Sequence, residues 1–282
     1  MMLKKYTSEQ LAIAYKTACM AELQALKPGN VHVFSDGHGM TIHDFIQSAD
    51  ATADIITQSD LSLGERVLYA VEATQRVVGQ NTNLGVLLLC APLIDAAMNA
   101  DGKQTLQQAL SDTLKRLTVE DAKLVANAIV LANPAGLGSS NLHDVREEPS
   151  VKLLELMQSA QERDRIAWQY ANAYEDVLGF GVKRYSDAML KWQNAAWATT
   201  ALYLGLLTLN ADTHVIRKHG QTLADELSKE ALDIEADYWQ ADNPKLVQKR
   251  LLEWDASLKR RAINPGTSAD LTVATLFATY LV

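Results

Sequence analysis

The sequence predicts an all-α fold, and three observations carry this prediction. The 282 residues are 48% hydrophobic but only 6% aromatic, and the abundance of Ala and Leu is typical of helix bundles. Apolar residues recur with the period of a helix over most of the chain. No run of alternating β-branched residues is bounded by hairpin turns, and no strand-like run leads into a Gly-rich turn, which disfavours sheets and parallel α/β folds.

Several helix starts are marked by capping boxes, in which a Ser or Thr oxygen accepts a backbone N–H and an acid or amide three residues later returns the bond. The four pairs with this spacing are Thr7 with Gln10, Thr41 with Asp44, Ser62 with Glu65 and Thr118 with Asp121. Periodicity then predicts about ten or eleven helices in one bundle-like domain over residues 1–282, since no linker divides the chain. The predicted helices lie near residues 8–26, 42–59, 63–77, 83–99, 104–116, 119–132, 151–177, 182–209, 213–239, 244–262 and 267–281.

Charge and hydropathy exclude several classes of partner. The formal net charge of −8 disfavours binding to nucleic acid, although a local basic cluster could still hold a small polyphosphate. No signal-peptide pattern follows the N-terminus, and the most apolar segments, 84–98 and 195–209, are shorter than the ~20 residues that span a bilayer. Cys19 and Cys90 lie in apolar helical patterns and are expected in the core. We therefore expect a cytoplasmic protein that binds no membrane; a homodimer is compatible with the sequence.

Polar residues concentrate in four breaks between predicted helices. The first break, ELQALKPGNVH from Glu22 to His32, places Lys27, Gly29 and Asn30 at the end of a helix. Gly after a helix end and Lys near the negative end of the helix dipole are ordinary features of a helix stop. The functional alternative makes Lys27 an anion ligand and Glu22 a partner for a metal or a proton.

The second break contains Asn81, Thr82 and Asn83 and leads into the most hydrophobic helix of the chain. Unpaired N–H groups at a helix start, together with small polar side chains, suit a phosphate or a ribose hydroxyl. N-capping is the alternative, but it needs only one such residue. Glu72 on the preceding predicted helix adds an acid near this break.

The third and fourth breaks each place an Asp at the start of a helix. Asp212 precedes Arg217 and Lys218 by about one turn, so that a carboxylate and two cations could bind a magnesium polyphosphate. In the fourth break, NPGTSADL from 264 to 271, Asp270 could be a metal ligand or a general base. N-capping followed by solvated charges is the alternative for the third break and a capping pair of Thr267 with Asp270 for the fourth, where spacing alone does not decide.

Two long connections, Lys27–Met40 and Asn133–Pro149, are also candidates, because long irregular loops in a compact bundle are often functional. Asp144 and Arg146 in the second connection could line a site or form a solvated charge run. The histidines at 32, 38 and 43 are spaced too irregularly for a zinc motif and are expected to be loop or cap residues.

Taken in order, the breaks resemble the triphosphoribosyl-dephospho-CoA synthase family, which makes the prosthetic-group precursor of citrate lyase and malonate decarboxylase. The motifs that carry the resemblance span most of the chain. They are Glu22 followed by KPGNV at 27–31, SADA at 48–51, Glu72 with GxNTxxG at 79–85, DTHVIRKHG at 212–220 and NPGTSADLTVATLF at 264–277.

The resemblance implies an all-α enzyme that transfers a triphosphoribosyl group from ATP to the ribose 2′-hydroxyl of dephospho-CoA and releases adenine. Such chemistry needs Mg²⁺ and cations for the triphosphate, and a carboxylate that receives the proton of the attacking hydroxyl. The catalytic residues implied are Asp212, Asp270 and Glu72, and the metal ligands implied are Asp212, Asp270 and Glu22. The substrate-binding residues implied are Lys27, Gly29, Asn30, Asn81, Thr82, Asn83, Arg217, Lys218, Gly266 and Ser268, with the cations on phosphate and the two Asn side chains at 81 and 83 on ribose or phosphate.

The chain departs from the family pattern at one motif. Where the citrate-lyase enzymes typically have N-T-H-K-G, this chain has Asn81-Thr82-Asn83-Leu84-Gly85, without the imidazole and the ammonium group. This variant resembles family members of archaea and methylotrophic bacteria. Two alternative functions follow: ribosyl transfer to another cofactor precursor, for example in one-carbon metabolism, or nucleotide binding by a helical protein without catalysis.

Overall fold

The computed structural model describes residues 2–134 and 146–282, and in these ranges the chain forms fourteen α-helices and no β-strand beyond two isolated bridges. The prediction of an all-α fold is confirmed, whereas the predicted number of helices was too low. The candidate Asp144 lies outside the described residues. The helices are α1 Ser8–Gln24, α2 Ile42–Ile56, α3 Leu63–Val78, α4 Leu84–Met98, α5 Leu106–Arg116, α6 Val119–Ala132, α7 Leu153–Ala160, α8 Arg165–Ala171, α9 Val182–Trp192, α10 Ala195–Leu209, α11 Thr213–His219, α12 Gln221–Gln240, α13 Gln248–Arg260 and α14 Gly266–Leu281.

The helix starts in the first half follow the sequence closely. All four predicted capping boxes are present, so that α1, α2, α3 and α6 begin where their Ser or Thr caps predict. Local hydrogen bonding fixes these boundaries.

In the second half of the chain, three predicted helices were wrong, because each of them is interrupted in the structure. The segment 151–177 is divided into α7, α8 and the start of a π-helical segment, Glu175–Gly181, because Asp164 caps α8 and Tyr174 adopts a left-handed backbone with φ of 60°. Gln193, with φ of 51°, separates α9 from α10, and Gly220, with φ of 89°, separates α11 from α12. The apolar periodicity continues across each interruption. The position of one residue with a left-handed backbone therefore cannot be predicted from this periodicity.

Two helices organise the packing. α14 contacts α1, α4 and α10, and both α10 and α14 contribute side chains to two apolar cores, one mainly among α1 to α8 and one mainly among α9 to α13. Every residue of α4 except Asp95 is buried. None of the helices in the described ranges is long and apolar enough to cross a membrane.

The position of α4 is fixed by a proline. Pro92 lies inside the helix and has no N–H, which leaves the carbonyl oxygen of Leu88 without its usual intrahelical donor. The Tyr170 hydroxyl donates to this oxygen at 2.6 Å, and the Tyr174 hydroxyl donates to the carbonyl oxygen of Leu89 at 3.1 Å. These bonds attach α4 to α8 and to the residues that follow it, and so hold the N-terminus of α4 in place.

Candidate active site

A cavity of about 920 Å³ lies where α1 ends and where α4, α11 and α14 begin. Its volume is within the range of small-molecule sites. Residues from all four sequence breaks line it, although the breaks are far apart in the chain. The predicted residues on its wall are Glu22, Asn30, Asn81, Thr82, Asn83, Arg217, Lys218, Gly266 and Asp270.

Asp270, in the first turns of α14, is a carboxylate on the cavity wall without a protein donor. Among the described residues, no group donates a hydrogen bond or forms an ion pair with it. Burial raises its pKa well above the ordinary value for Asp, and the neighbouring carboxylates of Asp212 and Glu22 raise it further. A Cβ atom at Gly85 would lie 2.1 Å from Asp270 Oδ2, so only glycine at this position of α4 allows the carboxylate to approach.

Asp212, by contrast, is 2% exposed and does not line the cavity. Its Oδ1 accepts the backbone N–H groups of His214 and Val215 at 3.0 and 3.1 Å, which caps α11. Its Oδ2 accepts both the N–H and the hydroxyl of Ser268 at 2.8 Å, which attaches α11 to the first turn of α14. Asp212 and Ser268 therefore hold two helix starts together behind the cavity wall.

Lys27 is fully buried and also lies behind the wall. Its ammonium group pairs with Glu22 and donates to Asn30 Oδ1 at 2.8 Å. Burial lowers the pKa of Lys27 and raises that of Glu22, and their mutual attraction opposes both shifts. The Asn30 amide in turn donates to Asn264 Oδ1 at 2.8 Å, so this network connects the first break to the fourth.

Gly29 completes the junction between these two breaks. Its φ is +85°, and a Cβ atom there would lie 2.8 Å from Pro265 Cδ, so glycine is required for both the backbone conformation and the close approach. Its N–H donates to Asp255 Oδ1 at 2.8 Å, and the Tyr203 hydroxyl donates to the carbonyl oxygen of Pro28 at 2.7 Å. Asp255 and Tyr203 were not identified from the sequence because they lie inside ordinary helical patterns.

The second break forms the wall at the start of α4. Asn81 Oδ1 accepts the N–H of Leu84, the first residue of α4, at 3.1 Å, whereas the N-cap residue Asn83 makes no side-chain capping bond. The Thr82 hydroxyl lies 2.5 Å from that of Ser48, a residue of the SADA motif. Asn83 Oδ1 accepts the hydroxyl of Thr74 at 3.0 Å, while its Nδ2 is buried without a partner in the described part of the chain.

Cationic side chains also line the cavity. Arg217 and the exposed Lys218 line the cavity, and Asp164 Oδ2 holds Arg217 Nη1 at 2.5 Å. Asp164 also caps α8 through its other oxygen, and the adjacent Arg163 is a further cation on the wall. Sequence reasoning missed Asp164 and Arg163, because they were placed inside one continuous helix; the N-capping preference of Asp was the available signal.

Two histidines on the wall were likewise not assigned to the site. His38 Nε2 lies 2.7 Å from the carbonyl oxygen of Gly29, which places a residue predicted as a loop or cap beside the first break. His214 packs against Gly266, where a Cβ atom would lie 2.5 Å from its Nδ1. Burial lowers the pKa of both imidazoles, so both are neutral near pH 7.

The remaining candidates are outside the cavity. Glu72 is partly exposed on α3 and does not line it, and neither does the exposed Arg146. The predicted metal ligands Asp212, Asp270 and Glu22 do not meet as a set, since Asp212 is fully hydrogen-bonded and Glu22 is paired with Lys27. In residues 2–134 and 146–282, no three His, Cys, Asp or Glu side chains are grouped to hold a metal ion.

Comparisons with known proteins agree with this arrangement of motifs. Residues 8–282 match the family described as ATP:dephospho-CoA triphosphoribosyl transferase (CitG). Among solved structures, the chain is similar to an Archaeoglobus fulgidus protein provisionally assigned as a triphosphoribosyl-dephospho-CoA synthase, with 26% identity and a TM-score of 0.63 over 85% of this chain and 98% of that chain. No curated protein matches the chain. Because the match extends from the first helix to the last residue, the chain belongs to the ATP:dephospho-CoA triphosphoribosyl transferase family and is a transferase.

Proposed function

We propose that this protein transfers the triphosphoribosyl group of ATP to the ribose 2′-hydroxyl of 3′-dephospho-CoA and releases adenine. One observation carries the proposal beyond family membership. A single cavity brings together a carboxylate without protein donors, a group of cations and the N-terminus of a buried helix. These are the groups that such a transfer requires.

The reaction is a substitution at the C1′ carbon of the ATP ribose. The bond from C1′ to the adenine nitrogen breaks, a bond from C1′ to the acceptor oxygen forms, the acceptor hydroxyl loses its proton and adenine leaves with a proton. Asp270 is the residue that we assign to accept the hydroxyl proton, because it is the predicted carboxylate that lines the cavity with no protein partner in the described ranges. A general base contributes typically 10²–10⁴-fold to the rate.

Arg217, Lys218 and Arg163 are assigned to the triphosphate. All three line the cavity, and the 2.5 Å contact with Asp164 restricts the guanidinium of Arg217. A restricted guanidinium loses less entropy when it binds phosphate oxygens. Lys27, which the family motif would place on phosphate, is better explained as a positioning residue for Glu22 and Asn30.

Mg²⁺ is assigned to the triphosphate rather than to a protein-held site. The three carboxylates predicted as ligands do not form a common site, and Mg²⁺ commonly retains water and binds substrate phosphates. We expect the rate to follow the concentration of the Mg²⁺–ATP complex. A separate saturation step for free Mg²⁺ at fixed Mg²⁺–ATP would contradict this assignment.

The test of the proposed function is product analysis. The protein is incubated with ATP, Mg²⁺ and dephospho-CoA, and the expected result is release of free adenine in equal amount to a triphosphoribosylated nucleotide. Asp187→Asn, at a partly exposed Asp that pairs with Lys183 and does not line the cavity, serves as the control variant and should match the wild type. Release of ADP or AMP instead of adenine would contradict glycosyl transfer.

The altered second break favours a second candidate function, in which the acceptor substrate is different. Asn83 and Leu84 replace the imidazole and ammonium groups of the citrate-lyase enzymes on the cavity wall. In that case the ribosyl chemistry is kept, and adenine is released only when another cofactor precursor replaces dephospho-CoA. Acceptor screening with adenine release as the readout separates the two candidates.

A further inference from the structure

The start of α4 has donors with no protein acceptor in the described ranges. The backbone N–H groups of Gly85 and Val86 have none, and the side-chain Nδ2 of Asn83 has none either. Asn83 is 8% exposed and lines the cavity. A buried donor without a partner is costly and rare in folded proteins, so an unpaired amide at a cavity wall indicates a ligand group.

The orientation of the Asn83 amide is fixed by a residue that does not line the cavity. The Thr74 hydroxyl donates to Asn83 Oδ1 at 3.0 Å, and Thr74 is 2% exposed and does not line the cavity. Because the carbonyl side of the amide is occupied, the nitrogen side is the one left for a ligand acceptor. Thr74 is therefore a positioning residue for Asn83.

An acceptor group lies directly beside these donors. Asp270 Oδ2 packs against Gly85, where a Cβ atom would lie only 2.1 Å from it. In the ionised form that can accept a proton, Asp270 would repel a phosphate at the start of α4. A hydroxyl group would instead accept from the amide donors and donate to Asp270, since a hydroxyl is both donor and acceptor.

We propose that Asn83, the first-turn N–H groups of α4 and Asp270 form a hydroxyl-binding subsite, which takes the ribose 2′-hydroxyl of the acceptor nucleotide and not a phosphate group. This inference rests on the proposed function, and it gives the cations and the donors of α4 different ligand groups. The cations at Arg217 and Lys218 bind phosphate. The neutral donors at α4, together with Asp270, bind the reacting sugar.

The test is a double-mutant-type cycle of binding measurements. It removes the 2′-hydroxyl from the ligand and the Asn83 amide from the protein, separately and together. Titration calorimetry without ATP compares dephospho-CoA with its 2′-deoxyadenosine counterpart on the wild type, Asn83→Ala, Thr74→Val and Asn99→Ala. Asn99 is the control, because it is exposed at the opposite end of α4. We expect the wild type and the control to prefer dephospho-CoA by about three- to tenfold, the value of one hydrogen bond. Asn83→Ala should lose the preference, and Thr74→Val should reduce it.

Inorganic pyrophosphate is the second ligand of the test, and it probes phosphate binding alone. Its affinity should be unchanged in Asn83→Ala and should fall in Arg217→Met, because only the cations contact phosphate. Loss of pyrophosphate binding in Asn83→Ala, or equal weakening of both nucleotides by that variant, would overturn the hydroxyl subsite while leaving the proposed function standing. If the wild type binds neither nucleotide and releases no adenine, the proposed function is contradicted, and the subsite with it.

Discussion

Asp212 and Asp270 are the same residue type at the starts of two neighbouring helices, yet their surroundings are opposite. Asp212 accepts four hydrogen bonds from three residues and is 2% exposed. Asp270 accepts none from the described residues and lines the cavity. Capping and chemistry were alternatives for each residue in the sequence, whereas the structure divides them: one Asp holds the helix ends, and the other is available to a ligand.

The cations show the same division. Lys27 is buried against Glu22 behind the wall, whereas Arg217 lines the cavity and is held by Asp164. Residues that the family motifs group together are thus separated into a layer that faces the cavity and a layer that supports it. The two layers should respond differently to substitution, the first in rate and the second in stability.

The largest expected effect is on the cavity layer. Asp270→Asn should lower the rate of adenine release by about 10²–10⁴-fold, because the proposed general base is lost. Its melting temperature should be equal to or above that of the wild type.

The reason for this stability prediction is the raised pKa of Asp270 in the folded state. Between the ordinary and the raised pKa, the folded protein binds more protons than the unfolded chain. The stability of the wild type therefore falls as pH rises through that window. A rate within tenfold of the wild type would remove Asp270 from the chemistry.

The next effect is on the supporting layer. Lys27→Met leaves the buried carboxyl of Glu22 without its partner, which typically costs about 3–5 kcal/mol. The variant should be less destabilised at lower pH, because burial raises the pKa of Glu22 and protonation neutralises it. The double variant Glu22→Gln/Lys27→Met should regain much of the stability in denaturant titrations. If the single variant unfolds like the wild type but binds ATP poorly, Lys27 is a phosphate ligand after all.

A smaller loss of stability is expected for Asp212→Ala, which removes a helix cap and leaves buried donors unpaired. We expect a loss of about 3 kcal/mol and a melting temperature lower by roughly 5–10 °C. Adenine release at low temperature, where the variant is folded, should fall much less than in Asp270→Asn. Thermal unfolding checks the loss of stability, and rate measurements at one low temperature check the activity. A larger loss of rate in Asp212→Ala than in Asp270→Asn would contradict the distinction between the two residues.

The smallest effect tests the approach of α4 to Asp270. In Gly85→Ala the new Cβ atom would lie 2.1 Å from Asp270 Oδ2, so the carboxylate must move. Misplacement of a reacting group by about 1 Å can cost 10²-fold in rate. Gly179→Ala is the control, since its Cβ atom would meet only Glu175 Cγ at 3.8 Å. Equal activity of the two variants would show that the close contact is not needed.

Helix starts and motif residues were predictable from the sequence because they depend on local hydrogen bonds. Thr7, Thr41 and Thr118 cap their helices as predicted. The left-handed break at Gln193 was not predictable, since the apolar pattern continues across it.

Within the site, the sequence identified nine residues on the wall. It did not distinguish Asp212 from Asp270, because the difference depends on Ser268 and Gly85, which reach them only in the folded chain. Asp164 was missed because the predicted helix 151–177 ran through it, and its contact with Arg217 forms only in the folded chain. The predictions of one domain and of a homodimer stay predictions.

The pH dependence of kcat/KM for adenine release tests the central claim most directly, because it reports the ionisation of the free enzyme. We predict that the wild type loses activity on acidification at a pH above the ordinary aspartate pKa of about 3.9, since protonated Asp270 accepts no proton. Asp212→Asn should keep this acid limb, and the residual activity of Asp270→Asn should lack it. An acid limb at the ordinary aspartate value, or one that persists in Asp270→Asn and disappears in Asp212→Asn, would contradict the assignment of Asp270.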